Sequence, residues 1–294
     1  MIPLRQNLRA AGMLSLTMAL FCTGDTVSKL ILERIPIAEL TFLRGLMVCV
    51  LLLGIRLVTR RSLRMVGGLE RTTLLRALFE VGVIFSFYSA LQSLPVANAT
   101  TMMFASPIIM TGLVAFVLKD AVGPSRWAAV IIGFAGVMLV ARPTSAGWNP
   151  AALFALLGAF LVAARDLMTR FIPKVIEPDT VAVTTSAVVT VIAAPGAALG
   201  WVTPTGSELL LVTAAAVLLA IAYSTLVLAF RHGEMSFIAP FRYVSIPLAI
   251  ALGWAVFGDR PGWNMLAGAG VIIGAGLFTF QRERASARRR APAA

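Results

Sequence analysis

Val130-Ile131-Ile132-Gly133 returns as Val271-Ile272-Ile273-Gly274, 141 residues further on. The same offset carries Asp25-Thr26-Val27-Ser28-Lys29-Leu30-Ile31 onto Asp166-Leu167-Met168-Thr169-Arg170-Phe171-Ile172, and an offset of 140 carries Ser106-Pro107 onto Ile246-Pro247. One such match is easily made by chance in an apolar alphabet. Three in the same order at one spacing mark a duplication.

The duplicated unit is built from long apolar runs. Hydrophobic residues make up 59% of the 294-residue chain, charged residues 13%, and mean hydropathy is +0.90. A soluble domain needs far more polar surface, and a run of roughly 20 apolar residues crosses the hydrocarbon layer as a helix. Membrane barrels need about ten residues of apolar/polar alternation instead, which this sequence lacks. Spans are expected at 10–31, 36–58, 70–92, 95–118, 124–141, 149–171, 178–200, 207–230, 235–257 and 261–281. Pro36, Pro95, Pro124, Pro150, Pro178 and Pro261 stand near their starts, where a missing N–H is harmless. With five spans per copy, the second copy must enter the membrane from the opposite side. The expected fold is therefore an all-α polytopic membrane protein of ten transmembrane helices in two five-helix inverted-topology repeats. Residues 1–145 form the first, and residues 146–294 form the second with a basic cytoplasmic tail. Secondary transporters are frequently built this way.

The net charge of +12 would suggest nucleic acid in a soluble chain; here it follows the enrichment of Lys and Arg in cytoplasmic loops, and no nucleic-acid partner is expected. A cytoplasmic N-terminus puts 18 basic residues inside and leaves only Arg34, Arg142 and Arg260 outside. The expected location is the bacterial inner membrane, with both termini cytoplasmic. The basic start with Arg5 and Arg9 resembles a signal peptide, but a full-length apolar segment without a clear cleavage site follows, so it reads as a retained first helix. Cys22 and Cys49 lie inside spans and read as packing residues.

At this level the chain resembles the EamA-type members of the drug/metabolite transporter superfamily. The likeness rests on the five-plus-five plan and on the stretch from Tyr88-Ser89-Ala90-Leu91 through Pro107, followed by Asp120 and a fifth span with Gly133 and Gly136. Lys29 and Arg44 stand where the family often carries basic residues. Asp120 and Asp259 replace its usual Glu, and Phe21-Cys22-Thr23-Gly24 its usual Trp-Gly. Within the family the chain is similar to YddG-type exporters of aromatic amino acids. The resemblance implies a carrier fold and a small-molecule substrate.

Ionisable groups inside spans are costly unless paired or wetted and are the sharpest functional candidates. Glu80 is the deepest carboxylate: either a protonatable or substrate-binding group in a cavity, or an i,i+4 partner of Arg76. Asp25 and Lys29, with Arg44 beside them, read as one gate, and Asp166 with Arg170 as the repeat-related gate at the opposite face; the alternative is helix-end charge that snorkels to headgroups. Arg165 and Arg242 are candidates to attract a substrate carboxylate. Pro107 and Pro247 occupy matching depths and read as hinges. A cavity for a flat solute is expected from a subset of Phe21, Phe87, Tyr88, Met103, Phe104, Phe160, Tyr223, Phe241 and Tyr243, with Phe21, Tyr88, Met103, Phe160, Tyr223 and Tyr243 as its binding residues beside Glu80 and Arg242. Gly133, Gly136, Gly270 and Gly274 read as close-packing positions, and the five tryptophans, at positions 127, 148, 201, 254 and 263, as an interfacial belt.

No His-Glu-x-x-His, Gly-x-Ser-x-Gly, P-loop or cysteine pair is present, and the lone His232 falls in an expected loop. No enzyme, metal site, cofactor or nucleotide-driven step is expected. The favoured function is secondary export of small amphipathic metabolites, aromatic or other apolar amino acids foremost, by alternating access, with the lipid bilayer and the solute as partners and a monomer as the default assembly. The alternative is a membrane-embedded lipid flippase or an enzyme acting on lipid-linked substrates.

Overall fold

The computed structural model describes residues 4–59, 66–117, 124–141, 149–169, 171–232 and 238–290. All regular structure among them is helical: α1 (Leu4–Ile31), α2 (Ile37–Val58), α3 (Arg71–Leu91), α4 (Val96–Met103), α5 (Ser106–Val117), α6 (Pro124–Ala141), α7 (Pro150–Thr169), α8 (Pro178–Leu199), α9 (Gly206–His232), a 3₁₀ segment (Ala239–Val244), α10 (Ser245–Phe257) and α11 (Trp263–Arg290). Six of these, α1, α2, α3, α7, α8 and α9, are each long and apolar enough to cross a bilayer. α1 begins six residues before the expected span and α11 runs nine beyond it, so basic residues of the tail lie on helix. His232 ends α9 rather than lying in a loop.

The fourth and ninth expected spans are each broken, and at matching places. The fourth is divided into α4 and α5 at Phe104-Ala105, the ninth into the 3₁₀ segment and α10 at Val244-Ser245. At the first break the ladder tightens: the Phe104 N–H donates to the Thr101 carbonyl (3.1 Å) and the Ala105 N–H to that of Met102 (3.0 Å). Pro107 has no N–H to offer Met103. It therefore lies in the first turn of the restarted helix, where no intrahelical donor is needed. In the second copy the Ser245 N–H turns back to the Arg242 and Tyr243 carbonyls, and Pro247 follows in the first turn of α10. Both prolines thus mark breaks in their spans rather than bends of continuous helices. α10 closes on Gly258, whose φ of +70° is a left-handed conformation that favours glycine. At the start of α3 the Glu70 carboxylate accepts from the Thr72 and Thr73 N–H groups (3.0 and 3.4 Å). The Thr72 hydroxyl, followed by those N–H groups, holds this exposed carboxyl below the usual carboxylate range.

The duplication governs the packing. α1 runs along α9 and α3 along α7; α2 pairs with α8, α6 with α11, and α4 with α10. Exchanging the two copies turns the first pairing into the second and returns the α2–α8 and α6–α11 pairings to themselves, as a two-fold relation between repeats requires; the α4–α10 pairing joins the fourth span to the ninth. The interfaces are made of small residues, since between lipid-solvated helices close backbone approach rather than water exclusion drives association. α7 buries Ala151, Ala152, Ala155, Gly158, Ala159 and Ala163 on one side and exposes Leu153, Phe154, Leu157 and Phe160 on the other. Between α6 and α11, a Cβ on Gly268 would stand 2.6 Å from the Gly136 carbonyl oxygen; one on Gly133 would strike Ile108 of α5. The expected partners Gly270 and Gly274 face open space. The helix phase instead turns Gly268 and Gly276 inward, and Gly276 lies under the Tyr243 hydroxyl.

Candidate functional site

Two groups of charge lie in the interior between the repeats, and they differ in kind. In the first, Glu80 stands ten residues into α3, about 14 Å from its start. The Arg165 guanidinium of α7 donates to it (2.9 Å) and also, through two nitrogens, to Asp166 (2.8 and 2.9 Å). Arg76, one turn before Glu80, is 3.9 Å from the same carboxylate and donates to the Thr185 hydroxyl of α8 (2.7 Å). Two acids and two cations from two helices close on one another, with a third helix supplying the Thr185 hydroxyl. Both readings of Glu80 change accordingly: its main partner is Arg165, with Arg76 second. Arg165, offered above to a substrate carboxylate, already has two acids of its own.

The second group surrounds Tyr88. Phe21, Asp25 and Ser28 follow one another on α1 at spacings of four and three, which puts them on one face. The fully buried Tyr88 of α3 donates its hydroxyl toward the Ser28 hydroxyl (3.1 Å), and the Arg44 guanidinium of α2 lies 5.1 Å from the Tyr88 ring centre. Asp25 stands one turn before Ser28, and Arg44 lies over the ring of the tyrosine that Ser28 binds. Yet neither Asp25 nor the buried Arg44 forms an ion pair among the described residues. Phe21, one turn before Asp25 on α1, meets Tyr223 of α9 edge to face, with centroids 5.9 Å apart.

The remaining candidates fall elsewhere. Lys29 makes no ion pair with Asp25: its ammonium donates to the Leu94 carbonyl in the α3–α4 turn (2.6 Å) and lies 4.9 Å over the Phe257 ring at the end of α10. This ties three elements together at one end of the bundle. Asp166 pairs with Arg165, and Arg170 lies outside the described residues. Met103 reaches α7, where a Cβ on Gly158 would lie 2.9 Å from its sulfur. Tyr243 packs between Phe104 (5.3 Å) and Gly276, a wedge against α11 rather than a ring beside Tyr88. Arg242 is half-buried on the 3₁₀ segment and forms no ion pair among the described residues. Phe160 is 44% exposed on the outer stripe of α7, because the opposite face carries the alanines that pack on α3; it is not part of the interior group.

Further clips tie the ends of the bundle. Arg34 pairs with Glu208 and donates to the Thr203 carbonyl (3.0 Å), while the buried Glu39 accepts from the Val202 N–H (2.8 Å). At the opposite end of α2, Arg56 pairs with Glu177 (3.1 Å).

Comparison with known proteins fits this geometry. The EamA-like transporter family matches residues 8–142 and again 149–281, one domain for each repeat. A riboflavin transporter of Rhizobium johnstonii is 33% identical over 67% of this chain and 66% of its own length, just under two thirds. A riboflavin transporter of Vibrio cholerae is 29% identical over 71% of this chain and 70% of its own, and an S-adenosylmethionine uptake transporter of Rickettsia bellii is 27% identical over 93% and 94%. A protein of known crystal structure shares the fold at a TM-score of 0.67 and 19% identity, over 95% of this chain and 98% of its own. These names correct the narrower expectation: the relatives are riboflavin and S-adenosylmethionine carriers, which lends no support to aromatic amino acid export. The family also settles the choice between transporter and enzyme. With both of its halves matched, the chain belongs to the EamA-like transporter family and is a multi-pass membrane transporter.

Proposed function

We propose that this transporter takes up a flat, nitrogen-ringed metabolite of the flavin or nucleoside kind. Riboflavin and S-adenosylmethionine, which name the relatives, are both a planar heteroaromatic ring carrying a polar, hydroxylated chain. The observation that carries the reading is the edge-to-face pair of Phe21 and Tyr223 beside Asp25 and near Arg44, neither of which forms an ion pair among the described residues. Aromatic rings beside charged groups suit a flat ring with polar edges better than they suit an aliphatic solute.

In this account the repeats, residues 1–145 and 146–294, rock about the site in the inner membrane, with both termini in the cytoplasm. Lys29 closes the mouth expected on the outside, and Asp166 with Arg170 serves the mouth expected on the inside. The breaks at Pro107 and Pro247 take up the motion. Expression in a bacterium unable to make riboflavin, plated on limiting riboflavin, tests the substrate class. Rescue of growth by the wild-type chain is expected. Failure of rescue, together with export of labelled tryptophan from the same cells, would return the reading to amino acid export.

A further inference from the structure

The repeats use matching positions differently. Residue 166 of the second copy is an acid whose chain neighbour, Arg165, neutralises it (2.8 Å). The matching acid, Asp25, has Gly24 as that neighbour, so no cation is supplied from its own helix. Position 185 of the second copy is a threonine engaged by Arg76, whereas its counterpart in the first is Arg44. Asp166 is thus neutralised from its own helix, and its charge group closes across the two copies through Arg165 and Glu80. In the first copy an acid on α1, one turn from the Ser28 that Tyr88 binds, and a cation on α2, lying over the Tyr88 ring, form no ion pair among the described residues.

Unpaired opposite charges are expensive in a membrane interior, and here they are held in place. Tyr88 is buried and bonded to Ser28, and it fixes the ring over which the Arg44 guanidinium lies. A carboxylate only accepts hydrogen bonds, and a guanidinium only donates them. A solute group that satisfies both must carry a donor and an acceptor side by side, and it can be neutral overall because the two charges cancel. We infer that Asp25 and Arg44 form the polar end of the substrate site and read a heteroaromatic ring edge, Asp25 accepting from its N–H and Arg44 donating to the adjacent carbonyl or ring nitrogen. This rests on the uptake reading above and deepens it, because the dione edge of a flavin and the aminopyrimidine edge of adenine both present that pair. It also assigns these two residues to the solute rather than to a gate, leaving Lys29 alone at the α3–α4 end.

The test uses the purified full-length protein in detergent, titrated with riboflavin and with 3-methylriboflavin, in which a methyl replaces the edge N–H. Quenching of flavin fluorescence reports binding. The wild type is expected to bind riboflavin at least tenfold more tightly than the methylated analogue. In Asp25→Ala that preference should collapse to about twofold, by loss of riboflavin affinity rather than gain for the analogue. Asp25→Asn, which keeps the shape and guards against a folding defect, is expected to lose most of the preference. Glu80→Gln, which alters the closed charge group, should keep it. A full preference retained in both Asp25 variants would overturn the assignment while leaving flavin uptake standing. A wild type that binds neither riboflavin nor its methylated analogue would overturn the flavin reading and this assignment with it.

Discussion

Lys29→Met removes two contacts at once: the ammonium's hydrogen bond to the Leu94 carbonyl (2.6 Å) and its cation–π contact with Phe257 (4.9 Å). A hydrogen bond to a charged group contributes roughly 1.5–3 kcal/mol and a partly exposed cation–π contact roughly 0.5–1 kcal/mol. Lys29 is only half-buried, so screening by water brings the combined loss to about 2 kcal/mol. Methionine keeps most of the apolar stem, so packing on α1 changes little. If these contacts exist only while that mouth is closed, the open fraction rises roughly thirtyfold. Val96, fully buried at the start of α4, is a suitable reporter as Val96→Cys after Cys22 and Cys49 are replaced by alanine. Its labelling rate with a membrane-impermeant maleimide should rise by that factor from one face only, and Lys29→Arg should stay near the parent. An unchanged rate, or an equal rise from both faces, would refute the reasoning and leave Lys29 a helix-end anchor.

Arg165→Met strands Glu80 and Asp166. Removing one partner of a buried ion pair costs roughly 3–5 kcal/mol, and the remaining Arg76 at 3.9 Å and the partial exposure of Asp166 place this case at the lower end. A fall of roughly 6–10 °C in the melting temperature is expected, with at least half recovered in Glu80→Leu/Arg165→Met; a single variant as stable as the wild type would contradict the charge group. Gly268→Leu should prevent folding or lower the melting point sharply, because the obstacle is the Gly136 backbone, whereas Gly270→Leu points into open space and should be neutral. Equal effects of the two would put the α6–α11 contact elsewhere. Glu70 is a pH probe: its folded carboxyl titrates below the unfolded value of about 4.3, so its stabilising effect is present above that value and lost as pH falls through the folded one. The melting-point gap between wild type and Glu70→Ala should therefore be widest near neutral pH and narrow below about pH 4; a gap independent of pH would exclude the cap.

The fold was legible because membrane helices announce themselves by length, and the duplication by motifs at a constant offset. The breaks at Phe104 and Val244 were half legible: Pro107 and Pro247 flagged the positions, but a proline alone does not say whether a helix bends or restarts. The site was harder for a reason of dimension. Asp25-Lys29 and Asp166-Arg170 have the i,i+4 spacing of local pairs, yet Lys29 reaches another turn's carbonyl and Asp166 takes its own neighbour. Which cation meets Glu80 depends on α7 lying against α3, which no single-helix pattern contains. Phe160 and Gly270 failed through phase: in a helix apolar nearly all round, which side meets protein and which meets lipid is set by the neighbour. The run of alanines on α7, spaced three and four apart, was the signal that places Phe160 outside.

Counterflow tests most directly whether this carrier alternates access around a site for flat, nitrogen-ringed solutes. The purified protein is reconstituted in liposomes preloaded with unlabelled riboflavin or S-adenosylmethionine, and entry of the same labelled solute is followed. Saturable entry, faster into preloaded than into empty vesicles and abolished by an excess of the unlabelled compound outside, is predicted for at least one of the two. Entry of neither above protein-free liposomes, or scrambling of labelled lipid in their place, would contradict it.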